Sequence, residues 1–236
     1  MIYVLLTIIA ILPAAFYVLF IIAFDSQKPE PLKALLFSAV LGAVAALPFV
    51  FFGVPHQLEV IQIEEAHSIK ESLEIGIFKL TIPVEFVKWL LLLVFLSINK
   101  FYDEYIDGIV YSVCLAMGFA GVWAACFLSG YADADISSFI EISLITVFVL
   151  IPIHFIAGTL MGYFIALAKK EKSIKNHALA LFLPIVSDGI LCSLVLMIRN
   201  HWEYYFFMGI VFTIMAMVVY SQIFHLQDLD EMKTQR

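Results

Sequence analysis

TIPVEFVKWLLLLVF, Thr81 to Phe95, sets a carboxylate at Glu85 and an ammonium at Lys88 inside a run that otherwise reads as lipid-soluble helix. Its apolar residues are continuous and do not alternate, which excludes a membrane barrel strand. Taken from residue 77 to residue 98, the run is long enough as a helix to cross a hydrocarbon core of roughly 30 Å. The rest of the chain reads the same way. It is 63% hydrophobic and 14% charged with mean hydropathy +1.02, whereas a soluble domain is roughly 45–50% apolar and about 25% charged. The expected fold class is therefore all-α, a polytopic membrane protein.

Further apolar runs over residues 3–24, 35–52, 108–128, 139–168, 178–198 and 204–224 join 77–98 to give seven expected spans. The first lacks a basic leading segment and exceeds the length of a signal-peptide core, so it is read as a span. Orientation follows from the basic residues, which collect in cytoplasmic loops. Lys28, Lys33, Lys100, Lys169, Lys170, Lys172, Lys175, Lys233 and Arg236 fall on one side, and Lys70, Lys79 and Arg199 on the other. Nine against three predicts the N-terminus outside and the C-terminus inside, with the bacterial cytoplasmic membrane as the expected location.

All connections are short except residues 56–76, so residues 1–236 are expected to form a single transmembrane domain. Leu58, Ile61, Ile69 and Leu73 recur at helical spacing among Glu64, Glu65, Lys70, Glu71 and Glu74, which predicts an amphipathic helix at the interface over about 56–76. The net charge of −7 offers no basic footprint and argues against a nucleic-acid partner. Cys114, Cys126 and Cys192 lie within spans without ligand spacing and read as small apolar residues.

Inside the spans the charge-capable side chains are Glu85 and Lys88 in the third, His154 in the fifth and Asp188 in the sixth, with Glu141 near an outer end. A charge at bilayer depth costs about 2.5–3.5 kcal/mol, so such groups face the protein interior or a wet cavity. At a rise of 1.5 Å per residue, Glu85, His154 and Asp188 lie roughly 12, 22 and 15 Å from the outer ends of their helices, which permits a shared depth if the helices are neighbours. Pro83, Pro152 and Pro184 stand shortly before them, and each removes a backbone donor and disturbs its helix. The polar groups are thus candidates for one hydrated pocket. Residue by residue, other readings remain open: Glu85 and Lys88 neutralising each other, His154 as an interhelical hydrogen-bonder, Asp188 as a cap of a broken helix.

Several blocks resemble, in order, the PrsW-type intramembrane proteases, distant relatives of the CAAX-processing membrane endoproteases. FDSQKPEPLKALLFSAVLGAV from Phe24 is similar to that family's Asp and Glu-Pro signature, IPVEFVK to its Glu-Glu-x-x-Lys, and YDEYIDGIVYSVCLAMGFAGVWA from Tyr102 to its Asp-Gly-x-x-Tyr helix and the following Gly-Phe-Ala-x-x-Glu-Asn. PIHFIAGTLMGYFIALA and LPIVSDGI are similar to its His-containing and His-x-x-x-Asp helices. The chain departs from the pattern at Val84, Trp123 and Pro184, where the family has Glu, Glu and His, and at Ala124 in place of Asn.

The resemblance implies a PrsW/CAAX-protease-like bundle and a glutamic-type peptidase that cuts a membrane-anchored protein within the lipid bilayer. Glu85 would activate water, His154 would bind the water or polarise the carbonyl, Asp188 would orient His154, and Lys88 would tune Glu85. No cofactor is required by this reading; Glu85, His154 and Asp188 are also a chemically acceptable divalent-metal set, held as a minor option. The departures leave two other functions open. One is an inactive pseudoprotease that binds or regulates a membrane protein or lipid; the other is a proton-coupled transporter.

Overall fold

The computed structural model describes residues 2–25, 28–52, 68–198 and 203–235. Seven helices account for them: α1 (Ile2–Ile22), α2 (Leu32–Phe52), α3 (Ile69–Ile98), α4 (Ile106–Ser129), α5 (Ile136–Glu171), α6 (Ile174–Ile198) and α7 (Glu203–Thr234). All seven contain a stretch long and apolar enough to span a bilayer, and the described residues include no strand. The expected seven-span helical class is observed. Residues 56–67 of the expected interfacial helix lie outside the described residues; residues 69–76 are helical and run on into α3.

Two helices change pitch just before a proline. In α3, Glu74–Thr81 is a π-helix whose end is marked by the Ile82 N–H bonding five residues back to the Ile77 carbonyl. In α5, Thr146–Leu150 repeats the device, with the Ile151 N–H on the Thr146 carbonyl. Pro83 and Pro152 follow at the start of the α-helical stretches. Proline has no N–H to give and crowds the carbonyl four residues before it, and a widened turn absorbs both effects. Pro184 lies inside α6, which passes through Asp188 without interruption, so Asp188 does not cap a broken helix.

Helix α4 is the core. Its residues Ile109, Val110, Val113, Leu115 and Ala120 are buried among α1, α2 and α5. Close approach depends on small residues, as expected where lipid offers no hydrophobic drive between helices. A Cβ on Gly162 of α5 would sit 2.3 Å from the Gly108 carbonyl oxygen of α4. Helices α3 and α6 meet similarly, since a Cβ on Gly76 would lie 3.0 Å from the Gly189 carbonyl oxygen. Phe16, Leu19, Phe37, Phe51, Phe206 and Met217 cover the outer faces and are exposed, as a lipid-facing surface requires.

At one end, α7 is tied to the start of α4. Both carboxylate oxygens of Asp230 accept the Tyr105 N–H at 2.8 and 2.9 Å, and Oδ2 also accepts the Ile106 N–H at 2.9 Å. These are N–H groups that the first turn of α4 cannot satisfy itself, and an anion there also suits the helix dipole. At the other end Asp135 caps α5, accepting from the Ser137 and Ser138 N–H groups. The Ser138 hydroxyl and amide hold the Asp135 carboxyl below the usual carboxylate range.

Candidate active site

The segments IPVE (82–85) and IPIH (151–154) are parallel in sequence, and the two π turns make them parallel in structure. Each places a polar side chain two residues after its proline, in the first α-helical turn beyond the π segment. Widened turns of this kind are frequent at functional sites because they re-aim a side chain without breaking the helix. Helix α6, held against α3 at Gly76 and Gly189, brings Asp188 to the same place.

The four candidates Glu85, Lys88, His154 and Asp188 therefore meet. Glu85 is fully buried, and Lys88, Asp188 and His154 are 1%, 2% and 9% exposed. Lys88 forms an ion pair with Glu85 one turn away and stands 3.4 Å from His154 Nδ1. The same Nδ1 is 3.8 Å from Asp188 Oδ2. One ligand-capable atom each from Glu85, His154 and Asp188 lies within 4.8 Å of the other two. Lys88 is thus paired with Glu85 and stands beside His154, and Glu85 Oε2 has no hydrogen-bond partner among the described residues. The pairing of Glu85 with Lys88 expected from their spacing is present, and it also reaches the imidazole of a second helix.

A cavity of about 60 Å³ borders this cluster, large enough for a few waters. His154, Asp188, Thr81 and Cys192 supply its polar wall, and Val84, Phe119 and Trp123 part of its apolar wall. Glu85 is not on the wall. Phe119 and Trp123 present their rings edge-on to His154, with centroids 5.5 and 6.1 Å away, and Trp123 stacks on Phe127 at 5.0 Å. Lys88 Nζ also lies 5.5 Å from the Phe119 ring centre, a cation–π contact that favours the ammonium in an apolar setting.

Two polar members were not anticipated from the sequence. Cys192, read as apolar filler, donates its thiol to Asp188 Oδ1 at 3.2 Å. Thr81 is 1% exposed, and its hydroxyl has no hydrogen-bond partner among the described residues. The signal that finds both is helical spacing: Cys192 follows Asp188 by one turn, as Thr81 precedes Glu85. Pro184, one of the departures noted above, does not line the cavity, whereas Val84 and Trp123 do.

The family described as PrsW family intramembrane metalloprotease matches the chain over residues 30–223. The chain belongs to the PrsW family. Among curated relatives, Protease PrsW of Clostridioides difficile is 25% identical over 232 residues, covering 97% of this chain and 90% of that protein. Protease PrsW of Bacillus subtilis is 25% identical over 191 residues, covering 80% and 81%. That of Oceanobacillus iheyensis is 26% identical over 163 residues, covering 68% and 69%. No solved structure matches.

The family's description as metalloproteases makes the donor set worth testing. Two carboxylates and an imidazole converge within 4.8 Å, with the Lys88 ammonium paired to Glu85 and Glu85 Oε2 left without a hydrogen-bond partner among the described residues. Three such donors with a remaining position for water are the usual provision of a catalytic metal site. Glu85, His154 and Asp188 are thus a donor set that could hold a divalent ion.

Proposed function

We propose that this chain is a membrane-embedded PrsW-like endopeptidase that hydrolyses a peptide bond of a membrane-anchored protein at the depth of Glu85, His154 and Asp188. The observation that carries this reading is the convergence of those three groups from three separate helices beside a small polar-walled cavity. Family membership supplies the reaction class, and neither the non-catalytic binder nor the transporter is favoured beside it.

Peptide hydrolysis needs a positioned water, a group to take its proton and donors for the oxyanion. Water in the cavity meets His154 and Asp188 on the wall. Glu85, fully buried, held by Lys88 and set off the wall, is the base by way of Asp188, whose ligand atom lies within 4.8 Å of its own, and the Thr81 hydroxyl on the wall is an oxyanion donor. Asp188 fixes the imidazole from the Nδ1 side. Glu85, His154 and Asp188 are the residues that would hold a divalent ion, which when bound supplies Lewis acidity to water and carbonyl. In the proposed orientation the N-terminus is outside and the C-terminus in the cytoplasm, consistent with the distribution of lysines in the loops of a bacterial cytoplasmic membrane protein.

The test is cleavage of a single-pass substrate in proteoliposomes by the wild type, Glu85→Gln and His154→Ala. Product from the wild type alone, with all three proteins folded, supports the assignment; equal product from all three rejects it. Val84→Glu with Trp123→Glu makes the complementary comparison. If cutting appears only in that pair, the fold is competent but the native chain is a pseudoprotease.

A further inference from the structure

A second group of acids lies at the end of the bundle where the α1–α2 connection meets the start of α4. One carboxylate oxygen each from Asp25, Glu104 and Asp107 lies within 4.8 Å of the other two, and the same holds for Glu30, Asp103 and Asp107. Asp107 is common to both sets and fully buried, and Asp25 is 3% exposed. Acidic residues often gather without consequence, so the individual oxygens decide the matter.

Each buried aspartate uses one oxygen and leaves the other without a donor. Asp107 Oδ2 accepts the Asp103 and Glu104 N–H groups at 2.9 and 2.7 Å, and Asp25 Oδ2 accepts the Glu30 N–H at 3.0 Å. Asp107 Oδ1 and Asp25 Oδ1 are buried and accept nothing from the described residues. An unsatisfied buried carboxylate oxygen is expensive. Of the nearby ammonium groups, Lys28 pairs with Asp103 at the exposed edge of the group, while Lys169 and Lys233 donate at 2.6 Å to the main-chain carbonyls of Tyr102 and Asp103. Tyr111 donates its hydroxyl to Glu30, which further fixes that carboxylate in the group.

From this geometry we infer that Asp25, Glu104 and Asp107, with Glu30 and Asp103 beside Asp107, hold a hard divalent cation that joins the α1–α2 connection to the first turn of α4. All the donors are carboxylate oxygens, which suit calcium or magnesium over zinc. The site is separate from the Glu85 cluster and shares no residue with it.

The experiment is thermal unfolding of the purified full chain in nanodiscs after chelation, with Ca²⁺ or Mg²⁺ added against KCl of matched ionic strength. Asp107→Asn keeps an oxygen for the Asp103 and Glu104 N–H groups while removing the charge; Asp25→Asn serves if that variant fails to fold. His154→Ala removes a donor from the membrane-depth cluster and so separates the two regions. The expected result is a saturable rise of the midpoint, on the order of 5–10 °C at a hundredfold excess over Kd, kept in His154→Ala and lost in the aspartate variant. A rise no larger than that given by KCl, or one unchanged in the aspartate variant, overturns the inference.

Discussion

Replacing Lys88 by methionine removes the ammonium paired with Glu85, whose carboxylate and that of Asp188 have ligand oxygens within 4.8 Å of each other. At that separation and an effective dielectric of about 20, two carboxylates repel by about 3.5 kcal/mol. Breaking one side of a buried ion pair is independently expected to cost about 3–5 kcal/mol. Glu85→Gln differs in kind, because the cluster keeps one ammonium and one carboxylate and so no net charge, and it should be less destabilising than Lys88→Met. In the double variant Lys88→Met with Glu85→Gln, the cluster carries one net negative charge as in the wild type, and part of the stability should return. The assay is thermal unfolding of chelator-treated protein in nanodiscs at pH 7, followed by tryptophan fluorescence. At roughly 2–4 °C per kcal/mol, Lys88→Met should lower the midpoint by about 10 °C. If Lys88→Met is no less stable than Glu85→Gln, or the double variant no better than Lys88→Met, one ammonium is not what reconciles these carboxylates.

Three smaller predictions follow from the helix contacts. Gly162→Ala puts a Cβ against the Gly108 carbonyl oxygen at 2.3 Å and the Ile109 Cα at 2.6 Å; neither can rotate away, so a loss of about 1–3 kcal/mol is expected, whereas Gly209→Ala meets nothing within 4 Å and should not destabilise. Lys172 ends α5 with φ +50°, a left-handed conformation, so Lys172→Gly should raise stability by about 1 kcal/mol in the same unfolding assay. Asp135→Ala should speed hydrogen exchange at the Ser137 and Ser138 amides. Because the folded Asp135 carboxyl titrates below its unfolded value, its contribution is present above the ordinary carboxylate range and is lost as pH falls through the lowered one.

The spans were legible because a helix in lipid must be apolar over most of its length, and that requirement is written directly into the order of residues. Glu85, Lys88, His154 and Asp188 were legible for the converse reason, as the few groups lipid would reject. Their convergence was not in the sequence pattern; it depends on α3 and α6 touching at Gly76 and Gly189, a matter of tertiary packing. The π turns before Pro83 and Pro152 were read only as disturbed helix, since a proline announces a lost donor but not how the backbone absorbs it. Cys192 escaped because a thiol is apolar by composition and becomes polar only by its neighbour Asp188. The second carboxylate group escaped because Asp25 and Glu30 are far in sequence from Asp103, Glu104 and Asp107 and look like ordinary loop and helix-start acids until the chain folds.

If Glu85 and His154 act in one hydrolytic centre, their losses should not add. The decisive measurement is a double-mutant cycle on kcat/KM for a single-pass substrate, with wild type, Glu85→Gln, His154→Ala and the combination, all confirmed to be folded. A double variant no slower than either single is the expected result. Losses that multiply, or singles that cut at the wild-type rate, would mean that the two side chains meet in space without working together.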